Sequence, residues 1–166
     1  MNPDRSHDES LNIPRLLISL AVPLGAGALG SIPTARNIPT WYAGLKKPGF
    51  NPPNSVFAPV WTTLYLLMGV ADYLAGAQAA GDAELGPARL AYRGQLALNT
   101  LWSILFFGLR SPLAGLLEIG VLWVAVLLTI VRFARISRPA ALLLVPYLAW
   151  VSFAAALNAA IWRLNR

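Results

Sequence analysis

Five long apolar segments, separated by short polar connectors, limit the folds that this chain can adopt. They cover residues 13–33, 56–79, 88–108, 112–134 and 139–163. Each could cross the hydrocarbon core of a bilayer, which takes about 20 residues of α-helix. The chain is 57% hydrophobic and 12% charged, which is more apolar than soluble domains usually are. We therefore predict an integral, multi-pass, all-α membrane protein built as a bundle of five transmembrane helices.

A single membrane domain is expected to follow a short polar tail. Residues 1–12 form the predicted tail and residues 13–166 the five-helix domain, because no shift in composition divides the remainder. Three acidic residues precede Leu11, which is unlike a cleavable secretory signal, and the first apolar segment is expected to be retained. Only Leu109–Ser111 separates the third and fourth segments, which predicts antiparallel neighbouring helices.

Charge and composition exclude several classes of protein. The net charge is +6, but the 13 lysines and arginines lie singly or in small groups at the ends of apolar segments. This distribution indicates membrane anchoring and no nucleic-acid partner. The two membrane sides would carry seven and six of these cations, which leaves the orientation undecided. With no cysteine and a single histidine, His7, in the polar tail, neither thiol chemistry nor a metal site is predicted.

The 22 residues from Thr34 to Ser55 form the only long connector between the apolar segments. Its most informative part is Trp41–Pro53, with the sequence W-Y-A-G-L-K-K-P-G-F-N-P-P. Prolines and turn residues would leave backbone groups unpaired in lipid, so this loop cannot lie within the hydrocarbon. We expect a structured loop that covers a space at one face of the bundle.

Aromatic and polar side chains from several segments are predicted to share one leaflet beneath this loop. A helix rises about 1.5 Å per residue, so depth can be read from position. The set from the segments is Trp61, Tyr65, Asn99, Trp102, Glu118, Asn158 and Trp162, and the loop adds Trp41, Tyr42 and Phe50. Trp123 and Trp150 lie deeper, and Trp150 follows a bend expected at Pro146.

These residues also have structural explanations. An interfacial aromatic belt accounts well for Trp41 and Trp162. Asn99 and Asn158 could form interhelical hydrogen bonds, and this role is compatible with a pocket. Packing and pocket are equally favoured for Trp123, whereas the pocket is favoured for Trp150.

Three further features of the segments predict contacts between helices. Glu118 is expected to face the interior or a wet cavity, either protonated or paired with a base. An ion pair with Arg89 or Arg93 is the simplest explanation for Asp72. Two stripes of small residues, Gly25–Gly30 and Ser152–Ala160, are packing seams, with internal packing favoured over a homodimer.

No nucleophile elbow, phosphate-binding glycine loop, carboxylate pair or metal-ligand cluster is present in the sequence, so ordinary acid–base or metal catalysis is not expected. An aromatic cavity with few polar groups suits a flat, hydrophobic ligand such as a tetrapyrrole or a sterol.

Ordered motifs along the chain resemble those of one known family. They are W-Y-x-x-L-x-K-P-x-F-x-P-P from Trp41, P-V-W-T-x-L-Y from Pro59, G-Q-L-A-L-N ending at Asn99, then Trp102, F-F-G from Phe106, P-Y-L-A-W from Pro146 to Trp150, and L-N at Leu157–Asn158. The chain resembles the family of tryptophan-rich sensory proteins, also called translocator proteins or peripheral-type benzodiazepine receptors.

The resemblance implies a five-helix bundle, often dimeric, that binds porphyrins, sterols and drug-like ligands beneath the first loop. Matching positions would place Tyr42, Trp61, Asn99, Trp102, Trp150 and Ala154 in the pocket, and the same motifs add Tyr147. The motif associated with sterol binding lacks its tyrosine here, because Ala159, Ala160 and Ile161 precede Trp162 and Arg163.

The leading hypothesis is therefore a receptor or transport-type protein, predicted to be bacterial, that binds porphyrins in a sensory, regulatory or translocating role and needs no bound cofactor. Its ligand-binding residues would be Tyr42, Phe50, Trp61, Tyr65, Asn99, Trp102, Tyr147, Trp150, Ala154 and Asn158. One alternative is an enzyme that degrades porphyrin with light and oxygen through Trp61 and Trp150. Another is a small proton-coupled transporter that depends on Glu118.

Overall fold

The computed structural model describes residues 11–166 as a bundle of five α-helices. The helices are α1 Ile13–Asn37, α2 Asn54–Gln78, α3 Asp82–Ser103, α4 Pro112–Ile136 and α5 Arg138–Leu164. α1 and α3 are each prolonged by a five-residue π-helical turn, Ile38–Tyr42 and Ile104–Gly108 respectively. His7 and the other residues of the predicted tail up to residue 10 lie outside the described residues.

Local sequence explains where three of the helices begin. Asn12, Ser111 and Ser137 each accept a hydrogen bond from a backbone N–H in the first turn of α1, α4 and α5. Each of these helices also has a proline in its first turn, where a missing N–H costs nothing. The combination of a capping side chain and a proline therefore defines the residue at which each of these three helices begins.

The helices form a closed ring in the order α1, α2, α5, α4, α3, with α3 packed against both α4 and α1. The predicted antiparallel neighbours α3 and α4 are thus confirmed. In the described part of the chain, α1 with its π turn, α2, α4 and α5 have the length and hydropathy to cross a membrane. α3 starts with charged residues, including Asp82 and Glu84, and its apolar stretch continues into its π turn.

Two predicted boundaries were wrong. Helical structure extends through Thr34–Tyr42, so the connector to α2 is residues 43–53 rather than Thr34–Ser55. Pro39 does not stop the helix because it lies at the start of a new π-helical turn, where its missing N–H is tolerated. α3 begins at Asp82, six residues before the predicted start, because its first turns are polar and its acids suit a helix N-terminus.

The end of the bundle that carries the α2–α3 connection is held by polar contacts. Asp72 accepts a hydrogen bond from Arg89 Nε at 2.9 Å, which confirms the expected ion pair. Ser19 of α1 donates to the other carboxylate oxygen at 2.6 Å. Close by, α1 crosses α2 over Gly69, where an added Cβ would lie 2.9 Å from the Ser19 carbonyl oxygen. Only a glycine permits this approach.

The remaining features singled out on the helices serve packing. Gly27 and Gly30 face Tyr65 and Ser103 of neighbouring helices, so this small-residue seam is internal, as favoured. Trp123 donates a hydrogen bond to Ser152 Oγ at 2.8 Å, which assigns it to helix packing.

Glu118 is also buried, being only 7% exposed. Neither of its carboxylate oxygens has a partner among residues 11–166, so the alternative of pairing with a basic residue is not realised.

Candidate functional site

A cavity of about 270 Å³ lies inside the bundle at the end that carries the α1–α2 connector. Its walls come from α1, α2, α3 and α5 and from both π turns, while α4 lies behind them. The aromatic lining residues are Tyr42, Phe57, Trp61, Tyr65, Trp102, Phe106, Phe107 and Trp150. The walls are therefore mostly apolar and aromatic, as in sites for hydrophobic small molecules.

Eight of the ten residues predicted for a ligand site line this cavity. They are Tyr42, Trp61, Tyr65, Asn99, Trp102, Trp150, Ala154 and Asn158. Phe50 lies on the outside, 54% exposed, with its ring centroid 6.3 Å from that of Phe153. Tyr147 is buried behind the wall, with its ring edge-on to Trp61 at 6.2 Å.

The two asparagines of the cavity hold helices together. Tyr65 of α2 donates a hydrogen bond to Asn99 Oδ1 of α3 at 2.8 Å. Trp102 Nε1 donates to Asn158 Oδ1 of α5 at 3.2 Å, and Asn158 Nδ2 donates to the Pro112 carbonyl oxygen of α4 at 2.7 Å. These amides fix the register of four helices and also line the cavity. Both roles expected from the sequence, interhelical hydrogen bonding and a place in the pocket, are therefore met.

Two of the tryptophans that line the cavity have an indole N–H without a partner among residues 11–166. In residues 11–166, Trp102 and Trp123 use their indole N–H groups in hydrogen bonds within the protein. Trp61 of α2 and Trp150 of the neighbouring helix α5 line the cavity and have no protein acceptor within that range. Both indole nitrogens are accessible rather than fully buried, so these two donors are suited to a ligand acceptor.

An aromatic cluster at the π turn of α3 forms part of the wall that the sequence interpretation did not assign. Phe106 stacks on Trp102 at 5.1 Å and meets Trp41 edge-on at 5.5 Å, while Phe107 contacts Tyr42 at 5.6 Å. These two phenylalanines had entered only as part of a family motif. The turn rotates them toward the cavity, and this rotation could not be read from a regular helical period.

The wall contributed by α1 was also missed. Gly27, Gly30, Ser31 and Thr34 line the cavity at helical spacing. An available signal was that this small-residue stripe lies at the same depth as Trp61. Ser31, together with Asn54 and Ala58 of α2, lies at the surface of the bundle as well as in the cavity lining, so the cavity opens to the outside between α1 and α2.

Close packing between α1 and α2 sets the shape of the inner wall. The ring of Tyr65 lies directly over Gly27, where an added Cβ would come within 2.7 Å of Tyr65 Cζ. The bare Cα thus creates the space in which Tyr65 reaches Asn99. Tyr65 in turn stacks on Trp61, with ring centroids 5.4 Å apart.

The connector between α1 and α2 is tied down at both ends. Tyr42 donates its hydroxyl to Asn51 Oδ1 at 2.9 Å, and Lys47 Nζ lies 4.6 Å from the Tyr42 ring centroid. At the end of α5, Asn165 Oδ1 accepts from Lys46 N at 3.0 Å and Asn165 Nδ2 donates to Lys46 O at 2.9 Å. Tyr42 and Asn54 both line the cavity at this end.

Asn165→Ala is expected to loosen the connector. Two exposed hydrogen bonds to Lys46 are lost, together worth about 1–2 kcal/mol, so local opening becomes about tenfold more frequent. Hydrogen exchange of the amides of residues 45–51, followed by mass spectrometry, measures this. Arg163→Ala, an exposed change on the same helix end, is the control, and equal exchange in both variants would contradict the clamp.

These features define a class: a multi-pass helical membrane protein with an aromatic cavity beneath a fixed connector. The sequence profile described as "TspO/MBR family" matches residues 19–163. The chain is 49% identical over 155 residues to the tryptophan-rich protein TspO of Archaeoglobus fulgidus, covering 93% of this chain and 99% of the relative. It is 41% identical over 144 residues to the translocator protein of Sus scrofa, covering 84% and 85% of the two chains.

A third relative, the tryptophan-rich sensory protein of Cereibacter sphaeroides, is 42% identical over 125 residues, which are 75% of this chain and 77% of the relative. The chain belongs to the TspO/MBR family. It is an integral, multi-pass membrane protein of the sensory or transport type.

Proposed function

We propose that the protein binds porphyrins and related flat, hydrophobic ligands in the aromatic cavity and thereby acts in sensing or translocation. The observation that carries this proposal is the apolar, aromatic wall of the cavity, to which Trp61 and Trp150 add indole donors that bond to no acceptor in residues 11–166. Stacking on the rings supplies affinity, and the indole N–H groups orient polar edges of the ligand. In this proposal no cofactor is needed for folding, and the porphyrin enters as a ligand.

The size and opening of the cavity support a ligand that is only partly enclosed. Its volume of about 270 Å³ is close to the lower end of small-molecule sites, which is about 300 Å³. A tetrapyrrole would place part of its macrocycle among the aromatic rings and extend through the opening between α1 and α2. Ser31 and Ala58 at this opening are small, which leaves room for a flat edge.

The charges at the same end of the bundle suit a ligand with carboxylates. Arg36 and Lys46 are exposed there, and Lys47 is held by the carbonyl oxygens of Ala43 and Leu45. Propionate groups of a porphyrin would meet this basic rim while the macrocycle stays in the cavity. The names of two relatives, translocator protein and sensory protein, support a role that follows from ligand binding.

Titration of the purified protein with protoporphyrin tests the proposal. We expect saturable quenching of tryptophan fluorescence with a matching shift of the porphyrin absorption band. A neutral, non-planar hydrophobe of similar size is the control and should not compete. Linear quenching without saturation would show that the porphyrin merely partitions into the detergent micelle.

A second candidate function is light- and oxygen-dependent degradation of the bound porphyrin. The observation in its favour is that Trp61 and Trp150 both line the cavity, where their oxidisable rings would contact the macrocycle. Trp61→Phe combined with Trp150→Phe is expected to abolish turnover under illumination while porphyrin binding persists. Trp123→Phe with Trp162→Phe, two indoles away from the lining, is the control. Wild-type turnover no faster than that of free porphyrin would end this alternative.

A further inference from the structure

A second cleft, of about 340 Å³, lies at the end of the bundle opposite the aromatic cavity. It is formed where α1 begins, α2 ends and α3 begins, and is lined by Arg15, Ile18, Ser19, Val22, Asp72, Arg89, Tyr92 and Arg93. Asp72 lies six residues before the end of α2, and Arg15 two residues after the start of α1. The cleft therefore lies near the membrane surface, at the depth of lipid headgroups.

The cleft carries an excess of positive charge. Three arginines line it, against one carboxylate, that of Asp72. Both oxygens of Asp72 are already used, by Arg89 and by the hydroxyl of Ser19. In the described part of the chain, Arg15 and Arg93 have no carboxylate within salt-bridge distance. Two cationic side chains thus line the cleft with no counter-charge from residues 11–166.

Two of the guanidinium groups are held close together over a glycine. A Cβ added to Gly76 would lie 2.9 Å from Arg15 Cζ and 2.9 Å from Arg89 Nη2. Like charges repel one another, and Asp72 offsets the charge of Arg89, so the charge of Arg15 is the one left over at this point. The bare Cα of Gly76 is what permits the convergence, so the backbone itself shapes a site for negative charge.

A buried hydroxyl beside the same cleft lacks a partner. Tyr92 is only 2% exposed, and among residues 11–166 its OH has no hydrogen-bond acceptor or donor. Its ring is fixed by stacking on Phe133 at 5.7 Å. This hydroxyl is not accessible from the cleft, so Tyr92 contributes its ring to the wall there and not a hydrogen-bond donor.

The edge of the cleft is apolar. Ile18 and Val22, on the outer face of α1, line it and are 66% and 45% exposed. In a membrane these side chains face acyl chains, directly beside the basic groups. A ligand with an anionic head and an apolar tail would contact both surfaces at once.

We propose that this cleft binds the phosphate group of an anionic lipid. Arg15 and Arg93 would pair with the phosphate oxygens. The acyl chains would run along Ile18 and Val22. Basic pockets between transmembrane helices recognise lipid headgroups in this manner. The lipid, rather than free phosphate, is the source that the apolar edge favours.

The test uses the full chain in a neutral detergent with dioctanoyl phosphatidylglycerol as the probe. Native mass spectrometry should show a saturable single-lipid adduct, while dioctanoyl phosphatidylcholine binds at least about tenfold more weakly. Arg15→Gln combined with Arg93→Gln should weaken phosphatidylglycerol binding at least about tenfold. Arg132→Gln with Arg135→Gln, which removes two exposed arginines at the same end of the bundle, should leave it unchanged.

A second variant tests the geometry without changing charge. Gly76→Ala should push Arg15 and Arg89 apart and weaken phosphatidylglycerol binding, while Gly86→Ala, with open space around its Cα, should not. Circular dichroism melting of each variant verifies folding. Equal lipid binding in the arginine variant and its control would overturn the proposal.

The remaining arms identify the source of the anion. Saturable binding of inorganic phosphate alone, with the same dependence on the arginines and with no lipid adduct, would overturn the lipid assignment. The ligand would then be a soluble phosphate. Asp4, Asp8 and Glu9 supply competing carboxylates close to Arg15 in sequence. Lipid binding that emerges only after all three are neutralised would show that the chain's own acids occupy the cleft, which also overturns the proposal.

Discussion

Trp150→Ala is expected to weaken protoporphyrin binding by about 30-fold, which corresponds to about 2 kcal/mol for a buried aromatic anchor. Trp150 lines the cavity, where it contacts Phe57 at 5.9 Å and Phe153 at 5.4 Å. Its removal takes away a stacking surface and one of the two free indole donors. Absorption titration of purified protein with protoporphyrin measures the change without depending on the remaining tryptophans.

Trp123→Ala is the matched control for this substitution. Trp123 also lies in a transmembrane helix and also loses a large aromatic side chain, but it bonds to Ser152 and is not part of the cavity lining. The affinity of the Trp123→Ala variant for protoporphyrin should stay within about threefold of the wild-type affinity, because only packing between helices changes. Equal losses in the two variants would mean that the porphyrin binds elsewhere on the protein.

Gly27→Ala is expected to destabilise the protein by about 1–3 kcal/mol and to weaken porphyrin binding. The new Cβ would lie 2.7 Å from Tyr65 Cζ, so the rigid ring must move. Such a shift breaks the hydrogen bond of Tyr65 with Asn99 and pushes the ring into the cavity. Thermal unfolding in detergent, followed by fluorescence-detected size exclusion, and porphyrin titration measure the two effects.

Gly25→Ala controls for the change in helix propensity. Gly25 lies two residues away on the same helix, and a Cβ there would meet nothing within 4 Å. This variant should be neutral or more stable by up to about 1 kcal/mol, since alanine favours the helix. If Gly27→Ala behaves like Gly25→Ala, the contact between α1 and Tyr65 does not shape the cavity.

The helices were largely predictable because their signal is local. Apolar runs of about 20 residues have few alternatives in a membrane, so α2, α4 and α5 begin and end within a few residues of the prediction. The errors in the predicted boundaries occur where a segment is helical although its residues are polar or include proline. The polar start of α3 and the proline-containing end of α1 are both helical, although neither resembles a membrane span in composition.

The cavity was predictable in its residue types and only in part in its geometry. Depth along each helix correctly placed Trp61, Asn99 and Trp102 at one level, because the rise of a helix is constant. The direction in which each side chain faces around its helix axis could not be predicted in the same way. Phe106 lies on the π turn that prolongs α3, and Phe50 lies on the irregular connector with its ring against Phe153, so neither orientation follows from a regular helical period.

The amino-acid sequence alone was enough to predict a helical membrane bundle, since backbone groups in lipid must be paired internally and apolar runs of about 20 residues fit helices rather than the shorter strands of a barrel. It also determined which aromatic and amide groups lie at a common depth. The tertiary structure decided which of them meet, because convergence depends on the ring order of the helices and on close approach over Gly27. It likewise decided that Arg15 and Arg89 converge over Gly76, a juxtaposition of residues 74 positions apart in sequence that no local pattern encodes.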